Sequence, residues 1–361
     1  MYEKIIRSIL FRFNPESAHD FFIKIGEMLG ASSLCRSAVK LLFQYRHPAL
    51  RTKVLGINFE NPIGLAAGFD KDMRLTQIIP SVGFGFMEVG AVTQFPYAGN
   101  TGPRLVRLPD DQAIIVHYGL KNIGAAAIKE KLKKLKFAIP VGLNIAKTNR
   151  PDIKDEKSVE DYAATYRLLS PYFSYITFNI SCPNAQDGCT FQDPRFLNLL
   201  LGALAKEKKS CPVLLKISND LTEMETDKIL DVVRQYSFID GFVIANLSKR
   251  RDLLNLKSSP DRLNVIPEGG ISGKPIKNAS TNLIKYIYRQ TKGKCVIIGV
   301  GGVFCAEDAY EKIKAGASLV QLITGLIYRG PAIVKEINQG LVELLKKDGC
   351  SNIGEAVGKV A

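Results

Sequence analysis

The sequence predicts a (β/α)₈ barrel, class α/β, on three observations. Eight short apolar stretches recur along the chain, and each closes on Gly, Ala, Asn or Ser: IGLAAG (63–68), GFMEVG (85–90), PVGLNIA (140–146), YITFNIS (175–181), VLLKIS (213–218), GFVIAN (241–246), CVIIGVGG (295–302) and LVQLITG (319–325). Their apolar character is continuous rather than alternating, as in strands buried on both faces. Most intervals between them carry a helical pattern, for example 161–169, 223–236 and 306–315. Eight β units alternating with helices close most simply into a barrel. An open doubly wound sheet is the alternative, but no GxGxxG follows the first strand.

Two intervals, 91–139 and 247–294, exceed a βα loop plus helix, and both start at strand C-terminal ends. They are expected to insert over the active face as lid or substrate segments. Residues 1–45 precede the barrel of 46–361. They hold two helical patterns, near 3–12 and 17–30, broken at Asn14-Pro15. Asn14 suits an N-cap and Pro15 a first helical position. Ile5, Ile9, Leu10, Phe13, Phe21, Phe22, Ile25 and Leu29 give the pair an apolar face, which by itself reads as packing on the barrel.

Composition excludes several classes. Seven cysteines without a CxxC pair argue against a disulfide framework or zinc ribbon. The three histidines lack metal-ligand spacing, so no metal site is expected. No apolar run is long enough to span a bilayer, and the N-terminus lacks a signal-peptide core. The net charge of +14 is spread out. Its densest run, 129–136, has helical apolar spacing and reads as a solvated helix face rather than a nucleic-acid contact. Attraction to an anionic membrane surface is the more specific use of this charge.

The strand ends together outline a site. Ala67, Gly68 and Lys71 follow the first stretch. Asn144 ends the third, Asn179 the fourth with Cys182 and Asn184 beyond it, Lys216 the fifth and Asn246 the sixth. Gly301, Gly302, Thr324 and Gly325 follow the last two, where barrels hold phosphate on backbone amides, and the 269–273 segment with Gly270 can add more. Each signal alone has an ordinary reading: a turn glycine, a strand-ending asparagine, a buried structural cysteine. Their coincidence at matching ends favours a phosphate-bearing planar cofactor such as FMN, with a lysine beside the ring to stabilise its anionic reduced form.

The motifs NPESAH (14–19), NPIGLAAGFDK (61–71), GNTGPRLVRLPDDQA (99–113), VGLNIAK (141–147), NISCPN (179–184), GGISGKP (269–275), IIGVGG (297–302) and KAGASLVQLITG (314–325) resemble the flavin-dependent dihydroorotate dehydrogenases, in particular the membrane-associated, quinone-using class 2. The resemblance implies oxidation of (S)-dihydroorotate to orotate in pyrimidine synthesis. FMN would lie on Ala67, Gly68, Asn144, Asn179, Lys216, Gly270, Gly301, Thr324 and Gly325, with the substrate ring on Lys71, Asn179, Asn184 and Asn246. Cys182 is then the base, and Lys216 tunes the flavin. His19 and Arg107 match polar positions of a quinone mouth formed by the N-terminal helices, which would rest on the cytoplasmic side of a membrane. Class 2 carries serine where Cys182 stands; a thiol with an ordinary pKa of ~8.5 can serve if a neighbouring charge stabilises its anion. Val116 and Leu247 replace a substrate-binding asparagine and threonine, Ala91 and Ala245 replace two threonines near the flavin, Asn219 a proline and Ile323 a tyrosine. His117 or Lys121 is expected to compensate in the substrate pocket. The other reading of these losses is a paralogue that keeps FMN and oxidises a less polar ring.

Overall fold

The computed structural model describes residues 2–181 and 191–361. The eight apolar stretches are the eight strands of one closed parallel barrel: β1 (Ile63–Leu65), β2 (Phe86–Val92), β3 (Val141–Ile145), β4 (Tyr175–Asn179), β5 (Val213–Ile217), β6 (Gly241–Ile244), β7 (Val296–Val300) and β8 (Leu319–Leu322). Each pairs with its neighbour in sequence, and β8 closes on β1 with Val320 opposite Ile63. Side chains along each strand alternate between the barrel interior and the surrounding helices. Ile176 and Phe178 of β4 pack outward with the helices, while Tyr175 fills the barrel with Phe86, Leu214, Val243, Ile298 and Leu319. Glycine makes room for the large rings: a Cβ on Gly142 would lie 2.1 Å from the Tyr175 ring. An antiparallel hairpin, Thr52–Val54 with Ile57–Phe59, plugs the N-terminal end with Val54 and Phe59.

The two long insertions meet each other. Strand Ala113–Val116 of the first lies between Leu105–Leu108 of the same insertion and Gly270–Gly273 of the second in a three-stranded antiparallel sheet, Val116 opposite Gly270. This sheet stands over the C-terminal ends of the barrel strands and has its own small core of Leu108, Ala113, Ile115, Ile266 and Ile271.

Before the barrel come a short π-helix (Tyr2–Ile6), a helical turn (Arg7–Leu10) and two longer helices, α1 (Pro15–Ala31) and α2 (Ser33–Phe43). Asn14 caps α1 by accepting from the N–H groups of Glu16 and Ser17 at 2.9 and 3.1 Å. The sequence reading had no α2; its signal is Ser32, whose hydroxyl accepts from the Cys35 N–H at 3.3 Å. No helix among the described residues is long and apolar enough to cross a membrane. The first half of the lysine-rich run sits on a helix, Ala125–Leu132, that buries Ala125, Ile128 and Leu132, while Lys131 donates to the Asp72 carbonyl at 2.7 Å.

Candidate active site

A single cavity opens at the C-terminal ends of the strands, beneath the three-stranded sheet, and takes its lining from nearly every βα connection. After β1 the chain turns sharply at Ala66–Lys71. Asp70, almost wholly buried, fixes this turn by accepting from the N–H groups of Arg74 and Leu75, both at 2.8 Å. Burial pushes its carboxyl above the usual range, against the pull of those two bonds. The Gly68 N–H donates to the Gly90 carbonyl at 2.8 Å, joining the first two strand ends. Gly68 has φ +107°, and a Cβ there would meet only Ile323 at 3.8 Å, so its bare face borders open cavity.

Asn144 shows what this wall requires. Its amide Nδ2 donates to Glu88 Oε1 at 2.8 Å, and Glu88 also accepts from Thr177 at 3.0 Å and Gln321 at 3.2 Å inside the barrel. Asn144 Oδ1 is buried without a partner, an acceptor waiting for a donor from a bound ring. Asn179 and Asn246 form the next stretch. Asn246 donates to Asn179 Oδ1 at 3.4 Å and to Ser181 Oγ at 3.1 Å, which orients both amides at the cavity edge. Lys216 stands beside Asn179 in register and also lines the cavity.

Opposite lies a glycine bed. Gly301 and Gly302 have φ of +116° and +69°, and a Cβ on Gly302 would fall 2.4 Å from Lys277 Cβ. Gly325 is equally closed, since a Cβ there would lie 2.2 Å from the Val303 carbonyl oxygen. The hydroxyls of Thr324 and Ser272 bond each other at 2.8 Å. Backbone so bare, beside hydroxyls, suits a phosphate, and with Asn144 the lining fits a planar ring bearing one. Gly270 is not part of the lining. Leu247 covers it, 2.7 Å from where a Cβ on Gly270 would sit, and Ser272 and Gly273 of the same segment line the cavity.

The charge balance is one-sided. Among the described residues that line the cavity are Lys71, Lys121, Lys216 and His19, and no Asp or Glu. The Lys71 ammonium lies 4.2 Å from the centre of the Tyr118 ring. Its pKa is lowered to about 8, chiefly by burial and also by Lys121, while Asp72, Asp20 and Asp70 pull the other way. His19 is pushed down to about 3 by burial and by Lys71, Lys121 and Arg74, so its imidazole is neutral at physiological pH.

His19 enters from α1, packed edge-on against Phe69 with ring centres 5.1 Å apart. Around it the lining turns apolar, with Leu105, Ile114, Ile323 and Ile327. Arg107 lies outside the lining; it donates to the Phe13 carbonyl at 2.8 Å and sits over the Phe11 ring, tying the chain before α1 to the sheet. Glu16 accepts from the Arg104 backbone N–H at 3.0 Å and side chain at 2.8 Å, and Glu27 pairs with Arg74. Ile5, Ile9, Phe13, Phe21, Phe22, Met28, Leu34, Leu41 and Leu42 are left exposed on this extension.

Cys182 and Asn184 lie outside the described residues. Of the substituted positions, Val116, Leu247, Ala91, Ala245 and Ile323 all line the cavity. The two candidates for compensation part company: Lys121 faces the cavity, whereas His117 turns to Asn100, 2.9 Å away. Tyr118, which carries Lys71, was not singled out by the sequence reading; its aromatic ring next to a candidate ligand was the available signal.

A closed parallel barrel with a glycine bed, inward amides and lysines in a lining that holds no described Asp or Glu defines a barrel enzyme built for an anionic, ring-bearing ligand. The family model for dihydroorotate dehydrogenase matches residues 49–345. The dihydroorotate dehydrogenase (quinone) of Trichodesmium erythraeum is 39% identical over 99% of this chain and 98% of its own. That of Christiangramia forsetii is 41% identical over 95% and 99%. The ligand-free crystal structure of the Eimeria tenella enzyme superposes with a TM-score of 0.83 at 29% identity, covering 96% of this chain and 99% of that one. The chain belongs to the dihydroorotate dehydrogenase family.

Proposed function

We propose that the protein oxidises (S)-dihydroorotate to orotate, with FMN as resident cofactor and quinone as the final acceptor, in pyrimidine synthesis. The observation that carries this reading is the cavity lining: lysines with no Asp or Glu among the described lining residues, beside a glycine bed and an unpaired Asn144 oxygen. FMN, when bound, supplies the acceptor for the hydride. Ala67, Gly68, Asn144, Gly301, Thr324 and Gly325 hold it, with the backbone near Gly273 in the place expected of Gly270. Lys216 offsets the negative charge that two-electron reduction leaves on the ring. Lys71, Asn179, Asn184 and Asn246 would hold the substrate ring. Cys182 removes the proton from carbon 5 as the hydride leaves carbon 6, so the ring loses one proton and one hydride and gains a double bond.

Quinone is placed at the apolar end of the cavity near His19, with Arg107 holding the mouth. The exposed apolar side chains of residues 1–45, on a chain of net charge +14, support peripheral docking on an anionic membrane surface, on its cytoplasmic side. Nothing in the site calls for nucleic acid. A second reading, oxidation of a less polar ring, is favoured by Val116 and Leu247 in the lining.

Anaerobic addition of L-dihydroorotate to the yellow holoenzyme decides between them. Bleaching of the flavin band is expected; a flavin that dithionite bleaches and dihydroorotate does not would transfer the site to another ring. Cys182→Ala is expected to keep its flavin and lose substrate oxidation, and turnover in that variant would remove Cys182 from its role.

A further inference from the structure

We infer that Lys121 is a second ligand for the substrate's carboxylate, pairing with Lys71 to make an anionic ring the requirement of this pocket. The inference rests on the function proposed above and names what sets its specificity. Lys121 lines the cavity and makes no hydrogen bond or ion pair among the described residues. Its backbone is held firmly on both sides. Gly119 offers its carbonyl to Asn149 at 3.2 Å, and the buried Asn122 side chain donates to the Leu120 carbonyl and Thr93 hydroxyl, both at 2.8 Å. Asn122 and Tyr97 also exchange backbone bonds at 3.0 Å. A lysine on so fixed a segment, aimed at a shared cavity, is placed for a ligand.

The neighbouring charges point the same way. Lys71 and Lys121 repel each other, and the carboxylates that reach them electrostatically stand outside the cavity. Asp70 is committed to Arg74 and Leu75, and Asp72 accepts from the Ile123 N–H at 3.2 Å; Asp20 lies on α1. His19, the other titratable group felt by both lysines, is neutral. Two ammonium groups without an internal counter-anion bind an incoming carboxylate more favourably than either would alone. Elsewhere in the lining Val116 and Leu247 offer only apolar side chains. Recognition of the ring therefore shifts from hydrogen bonds on that wall to the carboxylate.

The test measures binding to oxidised holoenzyme through the flavin absorbance change, using orotate and, as the same ring without a carboxylate, uracil. Lys121→Met is expected to weaken orotate on the order of 10- to 100-fold, the range of one charge-assisted contact, and to leave uracil unchanged. Lys121→Arg is expected to recover orotate binding to within a few-fold. Orotate binding to the wild type weakens as pH rises through about 8, where Lys71 loses its proton. Removing the Lys121 charge moves that limb to higher pH. Wild-type-like orotate binding in Lys121→Met overturns the inference, as does equal weakening of orotate and uracil, which marks a structural role. A wild type that neither binds orotate nor is bleached by dihydroorotate overturns the proposed function itself, and the inference with it.

Discussion

Glu16→Gln tests whether the N-terminal helices open independently of the barrel. Glu16 accepts from the Arg104 backbone N–H and guanidinium, with about a fifth of each side chain exposed. Each hydrogen bond to a charged group contributes about 1.5–3 kcal/mol when buried. Glutamine keeps one acceptor, and partial exposure screens the rest. The substitution also removes a negative charge from the first turn of α1, a further loss of about 0.3–1 kcal/mol. A net cost near 2 kcal/mol corresponds to a population ratio of about 30. If the extension opens as its own unit, amide hydrogen exchange in Pro15–Ala31 should accelerate by that factor while Val141–Ile145 and Val213–Ile217 stay protected. Parallel acceleration in the barrel strands would refute the idea of a separable extension, and no acceleration anywhere would show the pair to be energetically idle.

Two further outcomes follow from the geometry. Gly302→Ala, which forces a Cβ against Lys277 at a positive φ, should give a folded protein that purifies with little flavin. Gly56→Ala, at φ +79° with nothing within 4 Å, should cost about 1 kcal/mol of strain and keep its colour, as absorbance and melting curves would show. Lys312 is fully buried against the hydroxyls of Ser280 and Thr281, and burial lowers its pKa to about 7. Between that value and the unfolded ~10.4 the unfolded chain binds more protons, so this residue makes stability rise with pH across the window. The rise in melting temperature from pH 7 to 9.5 should therefore be smaller in Lys312→Met; an equal slope would mean that Lys312 stays charged in the fold.

The strands were legible because burial on both faces leaves an uninterrupted apolar signature, as in VLLKI and CVIIGV, and the site because chemistry gathers where those runs end. What escaped was non-local. Val116 and Gly270 are paired across most of the barrel, and no local pattern announces that the two insertions form one sheet. Glu88 read as one letter of an apolar strand, because its partners Asn144, Thr177 and Gln321 come from three other strands. His117 and Lys121 are indistinguishable as candidates in sequence; what separates them is that Lys121 lines the cavity while His117 Nε2 is bonded by the Asn100 amide.

The Glu88 cluster also governs something beyond its own burial. A primary amide can present either its oxygen or its nitrogen, and in an isolated cavity wall Asn144 would be free to turn over. A carboxylate behind it takes the nitrogen, so the oxygen is the atom left unpaired. The polarity of the wall is thus decided one layer down, by a residue no ligand touches. Any redesign of this pocket that exchanges Glu88 for a residue able to donate would release the amide to flip, and would invert which edge of a ring the site accepts.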